Sequence, residues 1–416
     1  MVSPRQLTRS LLARDFNLKL TLPQDRLCPP VPVRWNYVRW LQDLLATTHP
    51  SHTDTFNPTR QTTGLDIGVG ASCIYSLLAC ASSPAWQMHG TDIDTQSLTH
   101  AQHNIDSNNL TKRIQLTQTK PSDPLIPLSK LGVSHLDFVM CNPPFYSSEE
   151  DMSRAYYGKA LPPSAVCTGS ANEMICEGGD VGFVSRILEE SLRLRERVKW
   201  YSSMLGRLAS AQQVVAKLRE HGISNFAVTN LKAGHKTRRW AVAWSFGDLR
   251  PANGVARHAE LVQALLPTAT EWTVAVSGAG VEEVDERVNA VLAELDLRWQ
   301  WRAALHTGVA FARENVWSRS ARRKRKFQQE AKEKVKKGDD GAGDDKEDED
   351  ESSSDGEEKP VALAVKITCS PNSVDIRWLR GTDFTLWESF CGMLKRALGA
   401  RGQGKGSKES NGKMEE

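Results

Sequence analysis

Two adjacent prolines, Pro143 and Pro144, stand directly behind an apolar run in "LDFVMCNPPFYSS", residues 136–148. Each fixes φ at about −65° and lacks a backbone donor, so neither a helix nor a central strand runs through them. The chain must turn there. The run before them is short, apolar and β-rich, which predicts a buried strand of a parallel sheet. In open α/β sheets ligands bind beyond the carboxyl ends of such strands, so Asn142 falls where a ligand would be. Asn offers an acceptor and two donors, the prolyl carbonyls offer acceptors, and Phe145 offers a stacking face. That set suits a flat ring bearing an exocyclic amine. On this stretch alone an ordinary Asn-Pro turn is the competing reading.

The surrounding pattern favours the sheet. "TGLDIGVG" is a strand entering a Gly-rich turn, "ASCIYSLLACAS" a helix, "WQMHGTDID" a second strand, "TQSLTHAQHNIDSNN" a helix, "RIQLTQ" a third strand and "LDFVMCNPPF" the fourth. After a long loop, Tyr146 to Asp180, come the helix "VGFVSRILEESLRLRERV", the strand "KWYSSML", the helix "AQQVVAKLREHG" and a hairpin of "FAVTNLKAG" and "RWAVAWSF". Such alternation predicts a doubly wound α/β domain over residues 1–250, with the boundary in "GDLRPANG", Gly247 to Gly254. Upstream, "MVSPRQLTRSLLARDF" reads as a helix and "NLKLTLP" as a strand; Asp15 argues against a transit peptide.

Beyond the boundary a βαββ half (251–320) and a ββα half (361–399) predict one small α+β domain. Between them "RRKRK", Arg322 to Lys326, precedes "DDGAGDDKEDEDESSSDGEE", so residues 321–360 are expected to be a disordered basic and acidic insertion. Residues 400–416 are expected to be a flexible tail. The formal charge of +3 hides this segregation: outside the acidic tract the chain is basic, which suits a polyanionic partner. Eight cysteines without a C-x-x-C pair indicate neither a zinc site nor a disulfide framework, and no metal is expected. No apolar run approaches the roughly 18–20 residues of a membrane span.

"DIGVGAS" lets backbone approach a ligand at the first strand-to-helix turn but lacks the G-x-G-x-x-G spacing of dinucleotide sites. Asp92 and Asp94 follow Gly68 and Gly70 by 24 residues, where a carboxylate grips ribose hydroxyls in such folds. Asp94 directly precedes "TQS" and suits a helix cap, leaving Asp92 as the ribose candidate.

With Asn-Pro-Pro-Phe after strand four, these features resemble the S-adenosylmethionine-dependent amino-methyltransferases. More closely, "CPPVPVRWNYVRWLQDLL", "GLDIGVGASCIYSLL", "MCNPPF", "PPSAVCTGSANEMICEGGDVGFV", "WYSSMLG" and "KTRRWAVAWSF" resemble the methyltransferase-like protein 16 family. The resemblance spans residues 7–246 and implies a Rossmann-like methyltransferase that methylates adenosine N6 in U6 small nuclear RNA. It implies S-adenosyl-L-methionine as cofactor. By motif, Arg34 would reach its carboxylate, Gly68 and Ser72 would line the methionine, Asp92 would hold the ribose, and Asp123 aligns loosely with an adenine contact. Asn142, Pro143, Pro144 and Phe145 would form the catalytic corner, with Asn142 on the target amine. The "TG…E…EGG" loop is Thr168, Gly169, Glu173, Glu177, Gly178 and Gly179. Two departures stand out: Asp92 replaces a frequent Glu, and the family's basic, Pro-rich N-terminal stretch has no counterpart, so that either another surface compensates or the gene reading starts late.

For RNA the candidates are Lys236, Arg238 and Arg239 in "HKTRRW", Lys236 and Arg239 by family motif as well, with Arg154 and Lys159 in the loop after Phe145. RNA is the expected partner, with no DNA and no membrane, and the chain is expected to be a monomer or weak dimer. "RRKRK" suits nuclear import, an RNA contact or both, so a nuclear location is expected, with a cytoplasmic share left open. Two alternatives remain at this level: methylation of another amine (guanine N2 in RNA, or protein glutamine), and an RNA-binding splicing regulator with a vestigial pocket.

Overall fold

The computed structural model describes residues 3–53, 55–157, 171–232, 238–277, 279–321, 323–327, 330 and 359–399. It forms two compact units, Met1–Gly247 with Pro251–Ala269, and Asp248–Arg250 with Thr270–Glu416.

The first unit is built on seven strands: β1 (Thr62–Ile67), β2 (Trp86–Asp92), β3 (Ile114–Gln118), β4 (Leu136–Cys141), β5 (Val198–Leu205), β6 (Phe226–Asn230) and β7 (Trp240–Trp244). Their order is β3-β2-β1-β4-β5-β7-β6, parallel throughout except for β7, which pairs antiparallel with β5 and β6. The strand order reverses between β1 and β4, and Ile67 is the register partner of Cys141. Gly68 and Asn142 therefore leave the sheet side by side. Along β4 the side chains alternate between two cores: Phe138 and Met140 enter one, Val139 and Cys141 the other. Gly64 is the register partner of Phe138, and a Cβ on it would stand 2.3 Å from that ring, so β1 admits the phenyl only with glycine there.

Among the described residues this unit also contains helices α1 (Pro4–Phe16), α2 (Val31–Thr47), α3 (Ile74–Ser82), α4 (Thr95–Ser107), α5 (Leu128–Leu131), α6 (Glu149–Tyr157), α7 (Ala171–Met174), α8 (Gly179–Leu194), α9 (Leu208–Glu220) and α10 (Asn253–Ala256). α1 opens on a capping box in which Ser3 and Gln6 exchange side-chain to backbone bonds. "NLKLTLP" is not a strand. Its backbone is held by side-chain amides of α4 and of the residue that ends it: Asn108 bonds both the N–H and the carbonyl of Lys19, and Asn104 does the same for Thr21. The expected loop Tyr146–Asp180 contains α6 and α7 and reaches the first residues of α8; residues 158–170 lie outside the described residues.

The second unit contains β8 (Glu271–Ala275), α11 (Val281–Ala293), β9 (Arg298–Arg302), β10 (Thr307–Ala312), β11 (Leu363–Ser370), β12 (Ser373–Arg380) and α12 (Phe384–Gly399). The sheet is antiparallel, in order β8-β12-β11-β10-β9. Val284, Val288 and Leu292 of α11 share one core with Trp387, Phe390 and Leu394 of α12 and with Val274, Ile367 and Ile376 of the sheet.

The boundary differs from the one expected at 250/251. Residues 248–250 join the second unit: Leu249 bridges to Arg380, and Arg250 lies 4.3 Å over the Trp378 ring and donates to Gly381 O. Residues 251–269 belong to the first, where Trp40 Nε1 donates to Val255 O and Arg219 Nη1 to Ala264 O. In the expected insertion, residues 321, 323–327 and 330 are helical rather than irregular; the acidic tract and the C-terminal tail lie outside the described residues.

Candidate active site

A cavity of about 260 Å³ opens at the carboxyl ends of β1, β2 and β4. Gly68, Ser72, Asp92 and Asn142 line it, with Arg34 and Pro143. Gly68 and Gly70 have φ of 72° and 60°, left-handed values that only glycine adopts without strain, so the turn depends on them for its backbone path. Asp92 clamps that turn: its Oδ2 accepts from Gly70 N and its Oδ1 from Asp94 N, both at 2.9 Å. Burial pushes the Asp92 pKa up, and those backbone bonds pull it back. Each oxygen keeps a further lone pair, so the expected ribose contact is compatible with the clamp. Asp94 is the cap of α4, accepting from Gln96 N and Ser97 N, and it pairs with Arg26 at 2.9 Å.

Asn142 and Arg34, 108 residues apart in the chain, meet in this cavity: Arg34 Nη1 donates to Asn142 Oδ1 at 2.9 Å. The same nitrogen stands 2.8 Å from the Tyr75 hydroxyl and 3.2 Å from Met204 Sδ. Arg34 is thus a buried cation whose Nη1 meets only uncharged acceptors, and its Nε has no partner. Asp123 lines the cavity, but its carboxylate is engaged by Lys130 at 3.0 Å and by the Lys120 N–H, which hold its pKa down.

Phe145 is half-buried, with the Arg239 guanidinium 5.1 Å from its ring centroid. Tyr146 is tied to the returning chain, donating to Met174 O and accepting from Cys176 N, which anchors the corner just past the aromatic. Arg239 therefore reaches the corner, Arg154 is exposed on α6, Arg238 is exposed, and Lys159, Lys236, Thr168 and Gly169 lie outside the described residues.

Sequence reasoning missed Asp66. It sits fully buried in β1 with Oδ1 unpartnered, and burial pushes its pKa up to about 8, against the Ser76 hydroxyl bond and with the help of Asp92. An acid flanked by Leu65 and Ile67 in a central strand was the available signal. No group of three or more His, Cys, Asp or Glu side chains forms a metal-binding arrangement among the described residues.

This strand order, with a Gly-rich turn after β1, an acid after β2 and Asn-Pro-Pro-Phe after β4, defines a Rossmann-like methyltransferase whose cofactor is S-adenosylmethionine. The residues fit that group: the Gly turn admits a close ligand, Asp92 offers acceptors, and Arg34 is a buried cation held by uncharged groups, with its Nε unsatisfied. The chain belongs to the family whose model is described as "RNA methyltransferase", which matches residues 2–248. A Schizosaccharomyces pombe relative, "U6 small nuclear RNA (adenine-(43)-N(6))-methyltransferase", is 35% identical over 398 residues, 95% of this chain and 92% of its own. The Homo sapiens "RNA N(6)-adenosine-methyltransferase METTL16" is 38% identical over 59% of this chain and 42% of its own length. Among solved structures, the human Mettl16 catalytic domain in complex with MAT2A 3′UTR hairpin 6 superposes with a TM-score of 0.51 at 37% identity, over 59% of this chain and 81% of that one.

Proposed function

We propose that the chain transfers a methyl group from S-adenosylmethionine to N6 of an adenosine in U6 small nuclear RNA. One observation carries the reading: Asn142 lines the same cavity as the Gly68 turn, at the point where β1 and β4 part, and Phe145 follows it by three residues in the chain. The name of the Schizosaccharomyces pombe relative supports adenine and U6.

When bound, the cofactor supplies an activated methyl group on a sulfonium. The chain supplies orientation and electrostatics. Asn142 Oδ1 and the Pro143 carbonyl accept the two hydrogens of the exocyclic amine, which aims its lone pair at the methyl carbon. Phe145 stacks on the flipped base and offsets part of the stacking it gives up. Arg239 beside Phe145 suits a backbone phosphate of the same nucleotide. A nuclear location through the basic run at 322–326 completes the proposal; imaging a tagged chain with those five residues neutralised tests it.

Incubation of the protein with labelled cofactor and total small RNA, followed by nucleoside analysis, tests the function. The label is expected in N6-methyladenosine of one small nuclear RNA. Label in N2-methylguanosine, or no label in RNA, contradicts it.

A further inference from the structure

The bond between Arg34 and Asn142 bears on the reaction itself. A guanidinium carries donors only, so the end of the Asn142 amide that faces Nη1 must be its oxygen, and the NH2 group must face away. That choice matters because the two ends of a carboxamide are nearly the same size and differ only in hydrogen bonding. An amide flipped by half a turn sets its own N–H donors against those of an incoming amine.

Arg34 is itself rigidly held. It is 6% exposed, and its guanidinium carbon lies 5.3 Å from the Tyr75 ring centroid. The three groups around Nη1 come from α3 (Tyr75), from the residue that follows β4 (Asn142) and from β5 (Met204), so three separate parts of the unit locate the guanidinium. The carbonyl oxygen of Asn142 has two lone pairs: one takes Nη1, and the other is left for a substrate N–H.

We propose that Arg34 is a positioning residue for methyl transfer, fixing the Asn142 amide with its oxygen as acceptor, in addition to any contact it makes with the cofactor. The inference rests on the reading that Asn142 receives the target amine. It separates two kinds of kinetic effect. A residue that only grips the cofactor raises the KM for cofactor and leaves kcat intact at saturation. A residue that orients Asn142 lowers kcat at any cofactor concentration.

The test is steady-state kinetics of the full chain on a U6 transcript, with cofactor varied to saturation, for Arg34→Met, Arg34→Lys, Tyr75→Phe and Asn142→Ala. Arg34→Met is expected to lower the saturated kcat by about ten- to a hundredfold, the loss of one charge-assisted hydrogen bond. Arg34→Lys, which keeps a cationic donor, should recover part of it. An unchanged saturated kcat with only a raised KM for cofactor overturns the inference. Should Arg34→Met fail to melt cooperatively, Tyr75→Phe decides: removing the hydroxyl that shares Nη1 should lower kcat a few-fold at unchanged cofactor KM, and wild-type kcat overturns the inference. Asn142→Ala reports on the underlying reading separately, because full activity there would remove the role assigned to Asn142 whatever the Arg34 variants do.

Discussion

Phe145 shows how a single side chain divides between packing and chemistry. It packs against the apolar core on the α2 side of the sheet, a Cβ on Gly206 would stand 3.0 Å from its ring, and Arg239 lies over the ring. A stacking face contributes roughly 1–3 kcal/mol per base, so Phe145→Ala should lower methylation of RNA by about ten- to a hundredfold, with cofactor binding near wild type and a melting temperature lowered by the lost packing. Phe145→Tyr should keep most activity. Loss of cofactor affinity in parallel with activity in the alanine variant would make Phe145 a core residue only. Asp66 gives a prediction of another kind. Its folded pKa, about 8, lies above its unfolded value, so the native state holds the extra proton between the two. Its contribution is complete below the unfolded pKa and is lost as pH rises toward 8, at up to about 1.4 kcal/mol per pH unit. Urea midpoints should therefore fall from pH 5.5 to pH 7.5 by more in wild type than in Asp66→Asn; parallel falls would mean that Asp66 does not titrate in this range.

Among elements, the strands and main helices were legible because their periodicity is local, and the Asn-Pro-Pro corner because two prolines leave few alternatives. The strand expected in "NLKLTLP" fails for a physical reason: its partners are side chains of Asn104 and Asn108, more than 80 residues away, and an extended apolar segment looks the same whether a strand or an amide satisfies its backbone. The Arg34–Asn142 bond was hidden in the same way. Asn104 is fully buried, and its amide also donates to Ala71 O, next to the Gly-rich turn. Asn104→Ala strands the buried Ala71 carbonyl, at roughly 1–3 kcal/mol, and frees the part-buried Thr21 N–H and carbonyl to water, so it should lower the urea midpoint and weaken cofactor binding. Asn108→Ala, at the exposed end of the same ladder, should have less than half that effect on the midpoint. Equal effects would show that the ladder does not order the segment before α2.

For the whole molecule, the chain crosses between its two units more than once, which composition around "GDLRPANG" did not disclose because both short crossings are similarly polar. Residues 251–269 belong to the methyltransferase unit, so a fragment ending at 269 should melt cooperatively and at a higher temperature than one ending at 250, which lacks the partners of Trp40 and Arg219. The 1–269 fragment should also bind RNA with a shallower dependence of log affinity on log salt than the full chain, by about 0.7 for each phosphate that the second unit neutralises. Equal slopes would mean that the second unit meets no phosphate. The central claim is that Asn142, at the end of β4, aims an adenine amine at the methyl group of S-adenosylmethionine. It is tested most directly by incubating wild type and Asn142→Ala with trideuteromethyl cofactor and a U6 transcript, then weighing the nucleosides by mass spectrometry. Trideuterated N6-methyladenosine from wild type and none from the variant is the predicted result. Its absence from wild type, or equal amounts from both proteins, would contradict the account.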